Sequence, residues 1–134
     1  MPSIDAILGM PHRSATRLRR ARVRTTEALL RHAASRVGRE QLAQTTGIAA
    51  DDLLVWCHRA ELLAVDGVGG EYAHLLTVVG VTSIEGLKGA DPARLVADLA
   101  EVNGRREVVR RLPTGVMVAR WVERAGSTDS IVEH

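Results

Sequence analysis

The sequence predicts an all-α protein, and three observations predict it. The chain of 134 residues repeats itself: residues 9–29 align with residues 67–87 at a constant offset of 58, and a second block aligns at an offset of 65. Apolar residues recur at spacings of three and four, while alternating β-branched runs bounded by turns are missing. Hydrophobic residues make up 46% of the chain but aromatic residues only 2%, with no Phe, so the core must be built from Leu, Val, Ala and Ile, which suits small, closely packed helices. Together they predict two tandem helical repeats packed into one compact domain, over residues 1–62 and 63–125, followed by a flexible tail at 126–134.

Each repeat opens on a glycine turn and a short helix. Gly9 meets Gly67, Ala15 meets Ala73, Leu18 meets Leu76, Val23 meets Val81, Glu27 meets Glu85 and Leu29 meets Leu87, with no gap. A second small helix and a connecting helix follow. The repeat closes on a longer helix in which Trp56, Arg59 and Ala60 correspond to Trp121, Arg124 and Ala125. In the first of these helices, spanning roughly residues 49 to 64, the stripe is Leu53, Leu54, Cys57, Ala60 and Leu63/Ala64; in the second it is Val118, Trp121, Val122 and Ala125. Both Trp residues are expected in the core. Asp91-Pro92 reads as an N-cap with Pro at the first helical position, Thr82 with Glu85 as a capping box, and Gly47, Gly80 and Gly104 as helix ends.

Several function classes fall away at this level. No stretch approaches the ~20 apolar residues of a membrane helix, and Met1-Pro2-Ser3-Ile4-Asp5 lacks the basic and long apolar segments of a secretory signal, so a cytoplasmic protein with no membrane association is expected. Cys57 is the only cysteine, which excludes an internal disulfide and a cysteine-based zinc site. His12, His32, His58, His74 and His134 are scattered, with no pair at ligand spacing, so no metal or other cofactor is expected. No nucleophile with a matching base declares itself, and the chain reads as a non-enzyme.

Charge is unevenly divided. Residues 1–62 hold ten Arg against six acids, a balance of +4, whereas residues 63–134 hold eight basic residues against ten acids, a balance of −2. Arg13, Arg17, Arg19, Arg20, Arg22 and Arg24 crowd one helix and its exit. At 100° per residue, Arg13, Arg17 and Arg20 fall within a stripe of about 60°. Such a stripe could follow a phosphate backbone, and it could equally be a solvated helix face.

Val65-Asp66-Gly67-Val68-Gly69-Gly70-Glu71-Tyr72-Ala73, with Leu76 and Gly80-Val81 behind it, resembles the helix-hairpin-helix motif of DNA repair and replication proteins. That resemblance implies a turn whose backbone N–H groups face a phosphate, commonly with a bound monovalent cation and without base specificity. Glycines serve the purpose because backbone approaches a phosphate closely only where side chains are absent and positive φ is allowed. Over residues 4–125, with the two Trp helices and Arg110-Arg111-Leu112-Pro113, the chain resembles a bacterial family of unknown function built from tandem helix-hairpin-helix-like units. That family is similar in shape to the small helical domains of DNA polymerase beta and of sterile-alpha-motif-like proteins. The hairpin resemblance and the Arg stripe together lead to the expectation of a sequence-nonspecific duplex DNA binder: Gly67, Val68, Gly69 and Gly70 contact phosphate, as the resemblance implies, and Arg13, Arg17, Arg20 and Arg24, crowded on the first helix and its exit, supply charge.

Two departures keep a second class open. Asp66 and Glu71 flank the second hairpin, and in the first, Gly9-Met10-Pro11-His12, the second glycine is missing and Pro11 offers no N–H. An adaptor that docks a protein partner, or a second copy of itself, fits the acidic second repeat.

Overall fold

Eight α-helices and one short 3-10 turn make up the helical structure of residues 2–134, the residues described by a computed structural model. The 3-10 turn is Ile4–Ala6, and the helices are α1 (His12–Arg20), α2 (Thr26–Ala33), α3 (Arg36–Thr46), α4 (Ala50–Ala64), α5 (Gly69–Val78), α6 (Ile84–Lys88), α7 (Pro92–Arg106) and α8 (Gly115–Gly126). Among the described residues there is no strand, only a single bridge between Ser3 and Thr25. Among the described residues no helix is long and apolar enough to cross a membrane.

Two compact units divide the chain: Met1–Ala60 with Ile131–His134, and Glu61–Ser130. In the first unit the N-terminal segment is tied to the start of α2, where Ile4 N–H donates to the Arg24 carbonyl and Thr26 N–H to the Pro2 carbonyl. Ile4, Leu18, Val23, Leu29, Ala33, Leu53, Cys57 and Ala60 are fully enclosed, and Trp56 is buried beside them in sequence on α4. In the second unit α8 packs on both α6 and α7. Leu75, Leu76, Leu87, Val118, Trp121 and Ala125 are sealed from water there.

The stripe expected on residues 49–64 is a helix from Ala50 to Ala64, with Leu53, Cys57, Ala60 and Leu63 inward and Ala64 exposed. Asp91 caps α7 as expected, its carboxylate accepting from Ala93 N–H with Pro92 behind it. Two boundaries differ from expectation. Ser83, not Thr82, caps α6, accepting from Gly86 N–H at 3.1 Å, because that register buries Ile84 and Leu87 together. Gly104 lies inside α7, which ends instead at Arg106 and is capped by Glu107, a left-handed residue with φ +43°. The Asn103 side chain explains the stop: it bonds both the N–H and the carbonyl of Val109, turning the chain back immediately after the helix.

The segment read from sequence as a flexible tail has fixed partners. The Ser127 and Thr128 hydroxyls donate to the Arg124 carbonyl at the end of α8. Ser130 donates to Glu61, and Val132 is buried within the first unit.

Candidate nucleic-acid interface

The two units repeat each other's hydrogen bonds around their glycine turns. Gly9 and Gly67 both have φ near +90°, a conformation that favours glycine (+91° and +89°). Met10 N–H donates to the Ile7 carbonyl in the first turn, as Val68 N–H does to Val65 in the second. Leaving the following helix, Val23 N–H donates to Leu18 and Val81 N–H to Leu76, each at 2.9 Å. Gly80 turns that exit with φ +97°; its counterpart at the same offset is Arg22, held left-handed at φ +66° despite its side chain.

The matched arginines in the Trp helices explain themselves at these turns. Arg59 Nη1 donates to the Leu8 carbonyl and Arg124 Nη1 to the Asp66 carbonyl, both at 2.6 Å. The pairs sit at the offsets the sequence repeat requires, 58 for the turn and 65 for the helix. Arg59 is buried, and that burial lowers its guanidinium pKa below the ordinary arginine value. Arg124 is half-exposed and has the Asp66 carboxylate 3.7 Å away. We therefore expect Arg59→Ala to cost about 2 kcal/mol, since the Leu8 turn carbonyl loses its charged donor and the buried side chain its packing. Arg124→Ala should cost under about 1 kcal/mol, its ion pair lying in solvent. Urea unfolding of the two variants checks the order.

A monovalent cation, which the resemblance implies, fits poorly at the Leu8 and Asp66 carbonyls of these turns. A guanidinium already stands at the Leu8 carbonyl and at the Asp66 carbonyl, so a second positive charge would meet repulsion at those two oxygens.

The helices after the turns, α1 and α5, begin without a side-chain cap: their N-cap residues are Pro11 and Val68. By contrast Thr25, Ser35, Ser83, Asp91 and Thr114 each cap a helix with a side-chain oxygen. The first-turn N–H groups of α1 and α5 therefore have no side-chain acceptor of that kind. Of the four hairpin residues expected to present N–H groups, Val68 has its own taken by Val65, which leaves Gly67, Gly69 and Gly70. Gly69 has φ +67° and open space where a Cβ would stand. At Gly67 a Cβ would come within 3.4 Å of Trp121 Nε1 and of Arg124 Nη1. Glu71 is exposed in the first turn of α5, where it complements the helix dipole.

Helix α1 differs from α5 in its charge. Its first turn holds no acid, and Arg13, Arg17 and Arg20 are all exposed. Among the described residues, none of the three has a carboxylate within ion-pair distance. Arg19, on the neighbouring face, bonds Asp5 and is thereby set apart from them. Arg24 is exposed but lies beyond the end of α1, in the turn before α2, so the helical stripe does not extend to it. Arg17 and Arg20 line a groove of about 280 Å³ with Ala21, Thr45 and Thr46. Sequence reading had no signal for Thr45 and Thr46, which reach this groove through the packing of α3 rather than through any spacing in the chain.

Fold and site together define an all-helical protein with two glycine turns that share a hydrogen-bond pattern and a basic face on α1. The chain belongs to the family described as Domain of unknown function (DUF4332), whose model matches residues 8–128. No curated protein and no solved structure matches it.

Proposed function

We propose that this protein is a non-catalytic, largely sequence-nonspecific binder of duplex DNA, a helix-hairpin-helix-like protein whose first repeat grips the phosphate backbone. The observation that carries this reading is the start of α1: no side-chain cap, no acid in the first turn, and Arg13, Arg17 and Arg20 exposed along one stripe without carboxylate partners. An anion would meet the free N–H groups and the positive helix end first, and the guanidiniums along the helix next. The second hairpin contributes through the N–H groups of Gly67, Gly69 and Gly70, against the local repulsion of Asp66 and Glu71. With one Tyr and no Phe in the chain, stacking on single-stranded bases has little to work with, and contact with duplex backbone is favoured.

Anisotropy of a fluorescent mixed-sequence duplex of ~30 base pairs, read between about 50 and 200 mM salt, tests it. We expect micromolar or tighter binding that falls steeply across that range and changes little with base sequence. Absence of binding at the lowest salt would sink the proposal and leave the protein-adaptor reading, which the acids around the second hairpin favour.

A further inference from the structure

We propose that the corner where α2 ends and α3 begins is a docking site for an extended segment of a partner protein, an apolar residue followed by a carboxylate, and that the chain's own residues 131–134 hold this site in cis. These residues follow the second unit in sequence but belong to the first. They form no helix, and they are held as a bound peptide is held, by main-chain bonds, one apolar anchor and one charge. Glu133 N–H donates to the Ala34 carbonyl at 2.8 Å, and Glu133 Oε1 accepts from Arg36 N–H at 2.8 Å. Val132 is 7% exposed, and the His134 ring lies 4.9 Å from that of His58 on α4.

The receiving surface is built by other residues. Arg39, only 4% exposed, donates from Nη1 to the carbonyls of Ala33 and Ala34 at 3.1 and 3.2 Å. That side chain fixes the Ala34 carbonyl for an incoming N–H. Ser35 caps α3 by accepting from Gly38 N–H, so the Arg36 N–H is left for an outside acceptor, and the Glu133 carboxylate takes it. Arg36 is paired with Glu40 at 3.5 Å, while Arg39 has no carboxylate within ion-pair distance among the described residues; the first turn of α3 holds no acid, and the helix start adds its own preference for negative charge. The site extends past the segment it holds: a groove of about 290 Å³ beside His134 is bounded by Arg36, Arg39, Glu40, Ala50, Asp51 and Leu54. A longer partner segment would have room there. This surface is separate from the α1 face and does not depend on the nucleic-acid reading.

The test uses the full chain with its own segment disabled, V132D/E133A, and a labelled peptide of sequence Ser-Ile-Val-Glu-His. The variant should bind the peptide at least about tenfold more tightly than the wild type, whose tethered segment competes at high effective concentration. A peptide carrying the same two substitutions should not bind. Equal binding of both peptides, or none by a variant with unchanged circular dichroism, would overturn the proposal. A second measurement needs no variant: excess unlabelled peptide added to the wild type should move the Glu133 amide and His134 ring resonances to their free-chain positions. Resonances that stay put at saturating peptide count against the site. Size-exclusion mass near 14.5 kDa for the wild type supports closure in cis; a dimer that V132D/E133A dissolves would assign the corner to a second copy of the chain instead of a partner.

Discussion

Replacing Arg13, Arg17 and Arg20 together by Glu should abolish duplex binding while leaving the fold intact. All three side chains are exposed, and among the described residues none takes part in an ion pair, so their replacement removes no buried contact. Surface changes of this kind usually move stability by no more than about 0.5 kcal/mol each. The effect on binding is of another size. Each phosphate contact contributes about 0.9 to the slope of log K against log salt, so neutralising three should flatten that slope by nearly 3. Reversing the charge adds repulsion, and affinity should fall by at least about 100-fold near 100 mM salt. The Lys triple variant keeps the charge but loses the forked donors, and should retain most of the affinity and nearly the full slope. Affinity that survives the Glu variant would remove the stripe from the interface. Arg19→Ala is the matched control: its guanidinium belongs to Asp5, so duplex binding should change little.

The helices were legible because their signals are local. A stripe of apolar residues, an Asp-Pro start and a glycine stop all act within a turn or two, and the repeat supplied the apolar stripe twice. Misread boundaries came from choices that tertiary contact makes. Thr82 and Ser83 are adjacent hydroxyls, and the burial of Ile84 with Leu87 selects the second. Gly104 meets no neighbour where a Cβ would stand, so the helix tolerates it, and Asn103 ends α7 by reaching six residues ahead. At the candidate site, helical periodicity was enough to gather Arg13, Arg17 and Arg20. It could not separate Arg19, whose partner Asp5 lies fourteen residues away, nor bring in Thr45 and Thr46 from α3. In residues 126–134 the polar run concealed the buried Val132 and also Glu133, whose partners Ala34 and Arg36 are about a hundred residues earlier in the chain.

Trp121→Ala should be the most destabilising single substitution in the second unit. The indole is 1% exposed, and its ring centroid lies 5.3 Å from that of Tyr72, tilted at 44°. Its Nε1 edge lies against Gly67, whose φ of +89° and lack of a Cβ allow the turn to approach. Tyr72 carries the contact outward, its hydroxyl donating to the Arg111 carbonyl at 3.0 Å. One side chain thus supports the glycine turn, the first turn of α5 and the loop between α7 and α8. Truncation leaves a cavity with a backbone turn on its wall, and backbone closes a void poorly, so a loss of about 3–5 kcal/mol is expected. Against a total of roughly 5–15 kcal/mol that is a large fraction of the stability. Trp121→Phe keeps the aromatic contact with Tyr72 and should cost less than half as much. Urea unfolding followed by far-ultraviolet circular dichroism measures both, with Trp56 left as the only indole to report on the first unit by fluorescence. A loss below about 1 kcal/mol for the Ala variant would mean that the turn stands without the indole, supported by the Arg124 bond to Asp66.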